Sequence, residues 1–117
     1  MCSAIRIVVC APTRDRQVEV RRAAVGDAWQ VVAMADELDA AIDRLAVLRG
    51  RVLVVDAAVP GAGTGAVAGR LRAAAPDVLL VGIGDVADAD VAVAVDEPGR
   101  LPAVLADLLH ARGDHAH

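Results

Sequence analysis

Val52 to Val55 place four bulky aliphatic side chains in a row, VLVV, and the run ends on a single carboxylate, Asp56, before the chain turns through Pro60, Gly61 and Gly63. An apolar run without alternation has no wet face, so it predicts a strand covered on both sides, as in a parallel sheet between two layers of helices. Asp56 then ends that strand at its carboxyl edge. Ligands and chemistry gather at this edge in open α/β sheets, which makes Asp56 a site candidate; the plainer alternative is an Asp that caps the following turn or helix.

The flanking sequence repeats the same alternation of short apolar runs and helical periods. Ala4 to Cys10, AIRIVVC, predicts a first strand closed by Ala11 and Pro12. Thr13 is then an N-cap with Asp15 in the first turn, and the helix runs to Val25 before Gly26 and Asp27 stop it. Trp29 to Met34 is a second strand, and Asp36 caps a helix whose Leu38, Ala41, Ile42, Leu45 and Leu48 hold the i, i+3, i+4, i+7 spacing up to Gly50. After the central strand, Val67, Leu71 and Ala74 line a third helix ended by Pro76, and Val78 to Val81 form a fourth strand. Val91 to Val95 is a fifth, and Pro98 with Gly99 opens a last helix carrying Leu101, Val104, Leu105, Leu108 and Leu109. Strands alternating with helices imply right-handed crossovers and a doubly wound five-stranded parallel sheet. Only the nine residues Gly82 to Asp90 join the fourth and fifth strands, too few for a helical crossover, so a loop or single turn is expected there.

At 117 residues the chain is expected to be one domain over 1–117, with 113–117 as a frayed tail. All 12 basic residues are Arg, against 16 acids, and the net charge of -4 with no basic stripe argues against nucleic acid as a partner. Two cysteines, Cys2 and Cys10, are too few for a disulfide framework, and no leader or 18-residue apolar run is present, so a cytoplasmic protein away from the membrane is the expectation. The weight of Ala, Val, Arg, Gly and Asp suggests, through codon usage, a GC-rich bacterial source.

The order of elements and the stretch DAAVPGAGTG together resemble the receiver domain of bacterial response regulators, over about Ile5 to Leu109. The resemblance implies a flavodoxin-like fold with the fourth helix short or missing, Asp56 as the phosphoacceptor-equivalent, and Pro60 and Gly61 as the turn that follows it. It also implies an acidic pair for Mg²⁺ after the first strand, a Ser or Thr after the fourth and a Lys-Pro pair after the fifth. Those places fall on Cys10 and Ala11, on Gly82 or Ile83, and on Glu97 and Pro98. Phosphoryl transfer to a carboxylate needs its oxygens neutralised and oriented, and Cys10 and Ala11 cannot hold Mg²⁺ while Glu97 puts an acid where the cation belongs. The sequence has no Lys to realign into the gap. The chain therefore resembles a pseudo-receiver: a non-catalytic regulatory or scaffold domain without a cofactor, acting through a protein partner.

Three rival readings remain. Glu97, and with it Asp85, could join Asp56 as an acidic metal cluster, or these acids could simply be solvated with Arg14 or Arg16 nearby. Asp56 could still accept phosphate by a degraded route. Cys10 to Arg16, CAPTRDR, spells the C-x5-R of a cysteine phosphatase, but it lacks a glycine to wrap amides round an anion, and Gln17 stands where a hydroxyl is expected. Gly61, Gly63 and Ala66 with Asp85 imitate a dinucleotide fingerprint too far from its strand, and His110, His115 and His117 are expected to be solvated. The short Gly82 to Asp90 segment should leave Val91, Val93, Leu101 and Leu105 beside an exposed aliphatic face, covered most simply by a homodimer.

Overall fold

The computed structural model describes residues 5–24, 26, 29–63, 66–75, 77–87, 89–94 and 97–115. Its strands are β1 (Ile5–Cys10), β2 (Trp29–Ala35), β3 (Val52–Asp56), β4 (Leu79–Ile83) and β5 (Val91–Val93), and its helices α1 (Arg14–Ala23), α2 (Leu38–Leu48), α3 (Ala66–Ala74) and α4 (Leu101–His115). All pair in parallel in the order β2-β1-β3-β4-β5. The chain winds outward from β1 to β2, then returns past β1 to β3 and winds the other way. The direction of winding thus reverses between β1 and β3, and Cys10 and Asp56 end the two strands that flank this switch point.

Successive strand residues face opposite sides of the sheet, and this period of two sorts the apolar runs into two layers. Ile7, Val9, Val52, Val54, Val81 and Val93 pack with Val20 of α1 and its C-cap Ala24, and with Leu101 and Leu105 of α4. On the other face, Val8, Cys10, Leu53, Val55 and Leu80 pack with Leu38, Ala41, Ile42 and Leu45 of α2 and Leu71 of α3. The unalternating Val52–Val55 run is buried throughout because both layers draw on it.

Gly84 to Asp90 forms no helix among the described residues and is instead fastened down by polar contacts. Gly84, at φ 90, turns the chain where a side chain would be strained, and its N–H donates to Val93 O at 2.7 Å. Asp90 closes the segment: its N–H donates to Leu80 O at 2.8 Å, and its carboxylate accepts from Leu80 N–H at 2.7 Å and from Arg72 Nη2 at 3.0 Å. Arg72 also donates to Val78 O, which ties α3 to the start of β4. Between these anchors Val86 is buried against Gly82, where an added Cβ would lie 2.8 Å from the Val86 Cβ. The loop also bonds to the segment following Asp56, with Ala87 N–H donating to Ala62 O at 3.2 Å.

Several expectations need correction. Val93, Leu101 and Leu105 are only 4 %, 0 % and 0 % exposed, because both β5 and α4 turn these side chains into the α1 layer; only Val91 is partly accessible. They do not form an exposed face. β4 runs two residues beyond Val81, since Gly82 and Ile83 pair with Val55 and Asp56, whereas β5 stops at Val93. The N-cap of α2 is Glu37 rather than Asp36. α4 continues through Gly113 and Asp114 to His115, so the tail is helical up to that point; His117, like Cys2, lies outside the described residues.

Candidate functional site

Val54 faces the α1 layer and Val55 the opposite one, so the next step of the alternation sends the Asp56 side chain back towards α1. The carboxylate is only 4 % exposed. Oδ1 accepts the Ala58 N–H at 2.8 Å, a local turn bond that orients the group. Oδ2 accepts from Arg16 Nε at 2.6 Å, across forty residues of sequence.

Arg16 reaches this position because Thr13 is the N-cap expected, accepting the Arg16 N–H on Oγ1 at 3.2 Å and fixing the first turn of α1. The guanidinium extends over the end of β3, and its Nη1 donates to Glu19 Oε1 at 2.6 Å. Its pKa is raised above the ordinary arginine value, first by the hydrogen bond to Asp56 and then by that to Glu19. Asp56 is thus held by a permanent cation from its own chain.

Cys10 and Ala11, in the place of the acidic pair, are both fully buried. The Cys10 thiol lies in the α2 and α3 layer, away from the α1 side, and burial pushes its pKa up to about 12, with the charges of Asp36, Asp56 and Glu37 acting in the same direction. A neutral thiol on the far side of the sheet from α1 does not form a phosphate loop with Arg16, and the cysteine phosphatase geometry is absent. Gly82, in the place of the hydroxyl, is covered by Val86. Glu97 does not turn towards Asp56: its side chain is 52 % exposed and pairs with Arg100 Nη1 at 3.5 Å. Pro98 opens a 3-10 turn that leads into α4. Asp85 is exposed, and among the described residues no group of three His, Cys, Asp or Glu side chains could hold a metal ion.

The sequence marks Asp56 as a site residue, but offers Arg16 only as a neighbour of solvated acids or as the arginine of a C-x5-R loop. The signal for the pair lay in Thr13, whose capping places Arg16 in the helical turn nearest the switch point. The cover that Val86 makes for Gly82 has one local signal, a glycine inside the apolar run VLLVGI, which marks close approach.

No family model matches the chain, and neither does any curated protein. Solved structures do match. The receiver domain of AraT, a response regulator from Geobacillus stearothermophilus, is similar with a TM-score of 0.80 at 18 % identity, over 98 % of this chain and 100 % of that one. The receiver domain of the Escherichia coli stress response regulator RcsB gives 0.78 at 17 %, over 93 % and 95 % of the two chains. The signal receiver domain of NarL from Mycobacterium tuberculosis gives 0.72 at 22 %, over 91 % and 96 %. The chain has the fold of a response-regulator receiver domain, a flavodoxin-like five-stranded parallel sheet. Among the described residues, four α-helices cover that sheet.

Proposed function

We propose that this chain is a receiver-type signalling domain that acts through contact with a protein partner in the cytoplasm and does not pass through a phosphorylated state. The observation that carries this reading is the Arg16 Nε to Asp56 Oδ2 bond of 2.6 Å on a carboxylate that is almost fully buried. Attack on a phosphodonor needs a free carboxylate oxygen beside a bound divalent cation. Here one oxygen is paired with a guanidinium and the other with an amide, and Cys10 and Ala11 supply no metal ligands. Regulation would then come from expression, or from a partner that reads the fixed surface.

The test is to incubate the domain with Mg²⁺ and acetyl phosphate and record intact mass, alongside an NMR titration with Mg²⁺ alone. The expected result is no gain of a phosphoryl group and no saturable shift at Ala58 in the millimolar range of Mg²⁺. A phosphorylated wild-type protein would establish the second reading, acceptance by a degraded route, which the position of Asp56 at the switch point favours. The homodimer expected to cover an aliphatic face is not part of this proposal, since Val93, Leu101 and Leu105 are buried within the chain.

A further inference from the structure

We propose that the cleft at the end of the edge strand β2 binds a phosphate-type dianion, at a site separate from Asp56. The cleft has a volume of about 290 Å³ and is lined by Pro12, Arg14, Gln17, Met34, Ala35, Asp36, Ala40 and Arg44. Two stripes frame it. Arg14 and Gln17 lie three residues apart on α1, and Ala40 and Arg44 four apart on α2, so each pair shares one helix face. The two helices cover opposite faces of the sheet, and residues of both line the cleft beside Met34 and Ala35 at the end of β2.

Arg14 and Arg44 have no hydrogen-bond or ion-pair partner among the described residues, in contrast to Arg16, Arg70, Arg72 and Arg100. Their sequence neighbours Asp15 and Asp43 do not neutralise them within the cleft, because adjacent helix residues point about 100° apart. Asp36 contributes the one negative charge on the wall, which leaves the lining with two cations against one anion. Pro12, Met34, Ala35 and Ala40 complete the wall. Gln17 is held in place by donating from Nε2 to Ala11 O at 3.1 Å. Two arginines lining one small cleft match a doubly charged oxyanion, since each guanidinium can offer a forked pair of N–H donors. The volume lies at the lower end of ligand pockets, about 300 Å³, which leaves room for a phosphate group carrying a small substituent.

The experiment titrates inorganic phosphate and, separately, acetate into ¹⁵N-labelled protein at low ionic strength, following backbone amides and arginine Nε–H signals. Saturable phosphate shifts are expected at Gln17, Ala35, Asp36, Ala40 and the Arg14 and Arg44 side chains, with Ala58 unmoved. Arg14→Gln and Arg44→Gln should each weaken binding about tenfold or more. The control Arg21→Gln/Arg22→Gln should leave it unchanged. Acetate should bind at least about tenfold more weakly, for want of the second charge. Absence of saturation, equal binding of acetate, or an equal loss in the control pair would overturn the proposal. Shifts at Ala58 in place of Ala40 would move the anion to Asp56, which would also count against the proposed function.

Discussion

A buried carboxylate and its cation do not depend on each other equally. Arg16 keeps 18 % of its side chain exposed and retains Glu19 if Asp56 is removed, whereas Asp56 without Arg16 keeps only the Ala58 amide in a buried position. Arg16→Ala is therefore expected to cost about 2 kcal/mol and Asp56→Ala about 1 kcal/mol in urea unfolding, a difference set by which partner is left uncompensated. Equal costs would show that the pair is too wet to matter. Cys10 gives a cleaner titration. With neither Lys nor Tyr in the sequence, no amine or phenol side chain titrates over the Cys10 range. The Cys10 pKa rises on folding from about 9.0 to about 12, so the unfolded chain releases this proton first. Stability should be unaffected below pH 9 and should fall as the pH rises towards 12, and Cys10→Ala should flatten the decline. A wild-type profile as flat as the variant's would exclude a buried thiol.

The elements came through the sequence unevenly, and the reasons are physical. Unalternating runs such as Val52–Val55 and spaced leucines such as Leu38, Ala41, Ile42 and Leu45 mark strand and helix by period alone, so the sheet and the lack of a helix between β4 and β5 were legible. Edges were less so. β4 extends to Ile83 only because β3 offers Val55 and Asp56 as partners, and α4 buries Leu101 and Leu105 because it docks on the sheet face that carries Val81 and Val93, neither of which is encoded locally. The occupant of the site was equally hidden, since Arg16 meets Asp56 only once α1 is docked. The loop invites a direct test. Gly82→Thr, which restores a hydroxyl, should cost about 1–3 kcal/mol by overpacking against Val86, and Val86→Ala in the same chain should recover about 1 kcal/mol of that, measured as a double-mutant cycle. Strict additivity would mean that the loop swings clear of Gly82.

Across the molecule, a core of small aliphatic side chains serves both faces of one sheet, and no described position on α4 is more enclosed than Leu105. Leu105→Arg is expected to abolish the folded signal in far-ultraviolet circular dichroism, while Ala106→Arg, one residue on and exposed, should change stability by less than about 0.5 kcal/mol. A folded Leu105→Arg protein would restore the outward face that burial rules out. The interlocking of Cys10, Gly82 and Arg16 with their surroundings also shapes what substitutions the chain can accept. A lone carboxylate at Cys10 would be buried among Val8, Leu53 and Val55 and repelled by Asp36, Asp56 and Glu37, and a lone hydroxyl at Gly82 would strike Val86. Each single step towards a metal-binding pocket passes through a less stable intermediate. In sequence space the Asp56 site is bordered by a valley, and the packing around it acts as a ratchet against stepwise change.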